Sequence, residues 1–187
     1  MLSAERKGSA QTVVKAINKN REMPREPIHF AEGQTIKLSP GGRDILIKKI
    51  VKDFCSLFTP GGHAIYVRDS HSKLVYYDAE KLVSLGAMIK EHSNMPDVVV
   101  HHVKKNWLVL IEALTSHGPI NPKRRQELKK LFAGSSAGLV FVTAFIDRHA
   151  MLKYLHDISW ETEVWVSESP THLIHFNGER FLGPYED

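Results

Sequence analysis

Two apolar runs, Val98-Val99-Val100 and Trp107-Leu108-Val109-Leu110-Ile111, flank a short polar segment at residues 101–106. No other stretch constrains the fold as strongly. The second run has no polar interruption, which is the pattern of a strand covered on both faces rather than one with a wet side. The basic segment Lys104-Lys105-Asn106 between the runs reads as a tight turn, so the pair reads as a hairpin. A carboxylate closes each arm at the same end, Asp97 at the start of the first and Glu112 at the end of the second.

Side chains alternate between the faces of a strand, and directly opposed residues in an antiparallel pair share a face. Asp97 and Glu112 therefore share a face when the turn holds an even number of residues. A two-residue turn at Lys104-Lys105 sets them opposite each other, and one at Lys105-Asn106 sets them diagonally; a three-residue turn separates them. Two carboxylates on one face offer hard oxygen ligands for Mg²⁺, which binds through one or two carboxylates and keeps several waters. The bland alternative is an exposed Asp at one strand end and an exposed Glu at the other. It is weaker for Glu112, because a charge at the end of a doubly buried strand is expensive without a cation or donors.

A chain of 187 residues supports one good core. It holds no apolar run long enough to span a bilayer, and its N-terminus is polar and charged rather than a signal peptide, so no membrane association is expected. A single cysteine, Cys55, cannot form an internal disulfide, which points to a reducing cytoplasm. The net charge of +4 permits nucleic-acid binding without requiring it. Eleven histidines raise a zinc reading, but their pairs are scattered and lack cysteine partners at ligand spacing, which disfavours it.

Taken in order, residues 1–38 read as a basic leader or the remnant of a recognition region, with a short helix over 10–18 and an edge strand at 34–38. The rest, 39–187, reads as one domain. Ser39-Pro40-Gly41-Gly42 precedes a helix over 43–58 whose apolar set is Ile45, Leu46, Ile50, Phe54, Leu57 and Phe58. A strand at 64–67 follows, then a helix over 78–85 capped by Asp78 and stopped by Gly86. Beyond the hairpin, Asn121-Pro122 starts a helix that reaches Phe132, with Gly134 as its stop. A buried strand at 138–145, a helix over 147–156 and strands at 163–166 and 172–176 complete the chain. Trp160 and Trp165 read as packing anchors, and Glu161 and Glu163 between them as acids able to assist the site.

The helix after Asn121 opens with Lys123, Arg124 and Arg125. Cations in a first turn oppose the helix dipole, at roughly a few tenths of a kcal/mol each. A bound phosphate would account for them, since helix starts attract anions; pairing with Glu127 or another nearby acid is the plainer account.

The strings MPDVVV, NWLVLIEALTSHGPI, KRRQEL, WETEVW and HLIHFNGERFLGPY, with SPGGRDIL, VKDF and YVRDS upstream, resemble the C-terminal region of the PstI/BsuBI type II restriction endonucleases. The resemblance covers roughly residues 35–187. It implies an α/β fold with the PD-(D/E)xK nuclease core, a central mixed β-sheet flanked by helices. It also implies Mg²⁺-dependent cleavage of specific double-stranded DNA by a homodimer, and assigns Asp97 and Glu112 to the metal.

The general nuclease motif has Lys two positions after the Glu, where this chain has Leu114. Lys123 is the first candidate for that role, and His117 or Ser116 can orient the water instead, His117 as general base. Enzymes of the family carry an additional N-terminal region credited with DNA recognition, so a missing recognition domain is also expected. Two other readings stay open: a repair or recombination nuclease that cuts by DNA structure, and a DNA-binding module that lost catalysis with the motif lysine.

Overall fold

The computed structural model describes residues 26–29, 34–38, 42–68, 74–89, 93–114 and 118–176. Its centre is the strand Trp107–Ala113 (β6), buried at every position after Trp107. Val98–His102 (β5) pairs with it antiparallel and Gly138–Phe145 (β7) pairs with it parallel, so neither edge is open. Outside these lie His63–Val67 (β3) and the two-residue Tyr76–Tyr77 (β4) on one side, and Glu163–Val166 (β8) and Leu173–His175 (β9) on the other. The order is β4-β3-β5-β6-β7-β8-β9, a mixed seven-stranded sheet in which β6, β7 and β8 run parallel. Glu26–His29 (β1) and Thr35–Leu38 (β2) form a separate antiparallel pair. The helix expected over 10–18 lies outside the described residues.

Period-two alternation divides the central strands between two cores. On one face, Val98, Val100, Val109, Ile111 and Ala113 pack with Ile47, Ile50 and Phe54. Those three come from Gly42–Lys49 (α1), which continues through a π-helical stretch, Ile50–Phe54, into a last turn, Cys55–Phe58. On the other face, Val99, Leu108 and Leu110 pack with Leu82, from Ala79–Ser84 (α2), and with Leu128 and Phe132, at Pro122–Leu131 (α3). Trp107–Ile111 lacks polar interruption because helices cover both of these faces.

Part of the stretch ahead of Ser39 packs onto this frame. Ile36 joins the first core, and the Gln34 amide both donates to and accepts from the backbone of Ala64. In the long helix, the stripe facing the sheet includes Ile47, Val51 and Cys55, while Ile45 and Leu57 are about half exposed. Burial pushes the Cys55 thiol up to about 12, so it is a core group and not a nucleophile.

Several local expectations need correction. The segment expected as one helix over 147–156 is Arg148–Leu152 (α4) followed by a 3₁₀ turn, Leu155–Asp157. Leu152 and Leu155 are exposed, so no apolar stripe holds a longer helix together. Trp165 is fully buried as expected of an anchor, but Trp160 is exposed and touches the Phe176 ring at its edge of the fold. Gly134 is required by close approach rather than by helix termination: a Cβ there would lie 2.4 Å from the carbonyl oxygen of Gly86.

The hairpin turn holds four residues, not two. Val103–Lys105 forms a 3₁₀ turn, and Asn106 closes it in the left-handed region, φ 50° and ψ 54°. Its amide bridges His101 Nε2 at 3.2 Å and the carbonyl of Ser136 at 3.1 Å, tying the turn to the start of β7. Because left-handed backbone costs most L-residues roughly 1–2 kcal/mol and Asn less, Asn106→Ala is expected to lose only part of that, up to about 1 kcal/mol, beyond the lost amide contacts. Asn106→Gly should spare the backbone part. Urea unfolding of both variants checks this, and equal losses would show that the left-handed turn is not what matters.

Candidate active site

Four is an even number, so the longer turn keeps the parity on which the shared face depends. The pairing runs from His102↔Trp107 to Val98↔Ile111, and one more step sets Asp97 opposite Glu112. Both are buried, on the face that carries Val99, Leu108 and Leu110.

Asp97 is held at both carboxylate oxygens. Oδ2 accepts the N–H of Ala113 at 2.9 Å. Oδ1 accepts from Arg68, at 2.9 Å from Nη2 and 3.3 Å from Nε. Arg68 follows β3 directly, and its backbone N–H donates to the Asp97 carbonyl at 2.9 Å. Sequence reading missed Arg68 as a site residue. One arginine after a strand carries no signal by itself; the β3–β5 pairing, Val67 opposite Val98, brings it to Asp97.

Glu112 meets a second guanidinium. Its Oε1 accepts from Arg124 Nε at 2.8 Å and Nη2 at 2.6 Å. Arg124 stands in the first turn of α3, whose start is fixed from three directions. Asn121 Oδ1 caps the Arg124 N–H at 2.8 Å, Thr143 Oγ1 on β7 accepts the N–H of Ile120 at 3.0 Å, and the Ile120 carbonyl accepts the N–H of Ser159 at 3.0 Å. The basic first turn thus has an intramolecular explanation in Glu112, with Glu127 Oε2 a further 3.6 Å partner of Arg124. Burial, then the charge of Asp97, pushes the Glu112 carboxyl up to about 7, against the pull of Arg124 and Arg68.

A cleft of about 200 Å³ opens onto Glu112, lined also by Arg68, Asn94, Gly118, Lys123, Arg124 and their neighbours. Lys123 is exposed at its rim, 4.0 Å from Glu127. Arg125 faces elsewhere: it pairs with Glu161 and lies 5.6 Å over the Phe141 ring, in a separate cleft with Lys129 and Glu163. Glu161 and Glu163 therefore stand away from the Asp97–Glu112 cleft, Glu163 against His175. Ser116 and His117 lie outside the described residues. Leu114, at the motif-lysine position, packs with Phe145 and Met151. Among the described residues no group of three or more His, Cys, Asp or Glu is arranged to hold a metal.

The donor set suits Mg²⁺: two hard carboxylates, with the remaining positions left to water and substrate. The buried pair also calls for positive charge, since the Asp97 carboxylate raises the proton affinity of Glu112. Two guanidinium groups meet that demand from opposite sides.

Comparison with known proteins is consistent with this geometry. The family model of the BsuBI/PstI restriction endonuclease domain matches residues 26–179. The type II restriction enzyme BsuBI of Bacillus subtilis is 52% identical over 176 residues, covering 94% of this chain and 56% of that protein. AplI, a type II restriction enzyme of Arthrospira platensis, is 29% identical over 185 residues, covering 92% and 55% respectively. The solved structure of SdaI restriction endonuclease superposes with a TM-score of 0.81 at 40% identity, covering 93% of this chain and 55% of that one. The fold is accordingly α/β and restriction-endonuclease-like. This chain spans about half the length of the relatives it matches.

The raised Glu112 carboxyl would make the binding of a divalent ion at this position pH-dependent. A divalent ion there must displace the Glu112 proton at about pH 6 and little proton above about pH 8. Calorimetry in buffers of different ionisation enthalpy reads that proton directly. The folded value of about 7 lies above the ordinary carboxylate value. Glu112's contribution to the stability of the metal-free protein is therefore present at low pH and lost as pH rises through about 7. Glu112→Gln should abolish both the proton release and that slope; unchanged proton release in the variant would move the titration to another group.

Proposed function

Since this chain belongs to the BsuBI/PstI restriction endonuclease family, we propose that it is the catalytic part of a Mg²⁺-dependent type II site-specific deoxyribonuclease. It hydrolyses phosphodiester bonds of specific double-stranded DNA, leaving a 5′-phosphate and a 3′-hydroxyl. The observation that carries this reading is the buried Asp97–Glu112 pair at one end of the β5–β6 hairpin, facing the start of α3.

Asp97 and Glu112 would hold the ion. When bound, Mg²⁺ supplies an activated water and neutralises charge developing on the phosphate. Arg124, beside Glu112, offers a planar fork that matches phosphate oxygens. Lys123 stands at the rim of the same cleft, in reach of a substrate, and takes the role that Leu114 cannot. Ser116 and His117 are the alternatives for orienting the water. Arg125, outside this cleft, contacts the DNA backbone farther along.

The working protein is a homodimer acting on palindromic duplex in the cytoplasm. Residues 39–187 form the nuclease domain, onto which Gln34 and Ile36 also pack, and sequence recognition belongs to a further N-terminal region; this chain covers only about half of each relative. No helix among the described residues is long and apolar enough to cross a membrane.

Plasmid digestion with Mg²⁺ or with chelator, with product ends sequenced, tests this reading. Discrete Mg²⁺-dependent ends are expected from the wild type and none from Asp97→Ala. Dispersed ends would favour a nuclease that cuts by DNA structure. Binding without cutting would favour the impaired module, a reading the apolar Leu114 gives some ground for. Lys123→Ala should slow cutting by about 10²–10⁴-fold if Lys123 holds the attacking water, and a near-wild-type rate would remove that role.

A further inference from the structure

Arg68 is the one cation of the cleft that neither the motif pattern nor the basic helix start brings to notice. Its guanidinium makes two contacts to a single oxygen, Asp97 Oδ1, at 2.9 and 3.3 Å. That grip is not needed to orient the carboxylate. Oδ2 is already tethered to Ala113 N–H at 2.9 Å, and the Asp97 backbone is bonded to the Arg68 N–H. As a source of stability it is also a poor choice, because desolvating a carboxylate and a guanidinium offsets most of their attraction. Arg68 is only partly covered, with a quarter of its side chain (26%) open at the mouth of the cleft that holds Glu112, Lys123 and Arg124.

The charges of the pair explain what the arrangement achieves. Asp97 and Glu112 carry two negative charges when ionised, and Arg68 and Arg124 carry two positive ones. With both acids ionised, the four charges therefore balance without metal. A divalent ion on the carboxylates leaves two guanidinium groups in excess, in a partly desolvated cleft where such charge is felt strongly. A phosphate oxygen is the anion a guanidinium fork matches best.

We propose that Arg68 is a phosphate-binding residue of this cleft, which neutralises Asp97 in the metal-free protein and passes to the DNA backbone when a divalent ion takes that carboxylate. This rests on the nuclease reading above. Metal entry and backbone binding are then coupled through Arg68, and by linkage each strengthens the other.

The test uses the whole chain, Ca²⁺ as a hard divalent probe and a fluorescein-labelled duplex. Calorimetry gives Ca²⁺ affinity without DNA, and anisotropy over a salt series gives duplex affinity with Ca²⁺ or with chelator. Arg68→Gln keeps a hydrogen-bond donor for Asp97 and removes the charge. It should bind Ca²⁺ at least as tightly as the wild type and lose most of the Ca²⁺-dependent gain in duplex affinity. The salt slope should fall by about one phosphate contact. Arg68→Lys should keep the slope. If Arg68 only supports Asp97, Arg68→Gln would instead weaken Ca²⁺ binding or leave the slope unchanged, and either result overturns the proposal. A melting curve on each variant separates these effects from loss of fold. A wild type with neither Ca²⁺-dependent duplex binding nor Mg²⁺-dependent cutting would overturn the nuclease reading itself. A wild type with both, beside an unaffected Arg68→Gln, would overturn the Arg68 role alone.

Discussion

Two buried carboxylates at neighbouring positions on one face of a hairpin cannot both be ionised without positive charge beside them, and the site is built around that constraint. Asp97 and Glu112 share a face because the turn at residues 103–106 has even length and the register runs without a slip from His102↔Trp107 to Val98↔Ile111. Their charges are met from opposite sides of the sheet order, by Arg68 at the end of β3 and by Arg124 in the first turn of α3. Burial does the rest: it raises the proton affinity of Glu112, against the pull of the two guanidinium groups.

The frame that holds this arrangement is the parallel crossover from β6 through α3 to β7. The Thr143 hydroxyl on β7 receives the Ile120 N–H, and Asn121 caps the next turn, so the angle at which Arg124 enters the cleft is set by β7 as much as by its own helix. Leu128 and Phe132 press the same helix onto Leu108 and Leu110. Packing on one stretch of the sheet face thereby positions chemistry at its end. Arg125, one residue on in the same first turn, is carried into a different cleft, where it meets Glu161.

Much of the fold could be read from pattern. The doubly apolar run at Trp107–Ile111 marked the central strand, Asn121-Pro122 marked the start of α3, and Asp78 its own capping role, because these signals depend on neighbours in the chain. Errors fell where a distant contact decides. Sequence position makes Gly134 a helix stop, while in the fold its place is required by the close approach of Gly86. Residue type suggests an anchor at Trp160, while its position at the edge of the fold leaves it in solvent. The three cations after Asn121 look equivalent in sequence, and helical geometry sends them to three surroundings: rim, buried pair and second cleft.

What the sequence by itself determined is the chemistry available to the site: two acids bounding a buried hairpin, a basic helix start, and leucine where the nuclease motif has lysine. Those facts follow from residue type and short-range spacing, which strand and helix periodicity translate directly into faces. What only the tertiary structure decided is which cation stands beside which acid. Arg68 reaches Asp97 through β3–β5 pairing, and Arg124 reaches Glu112 through a crossover onto β7. Electrostatic partnership depends on distance and burial in space, and neither is a property of position along the chain.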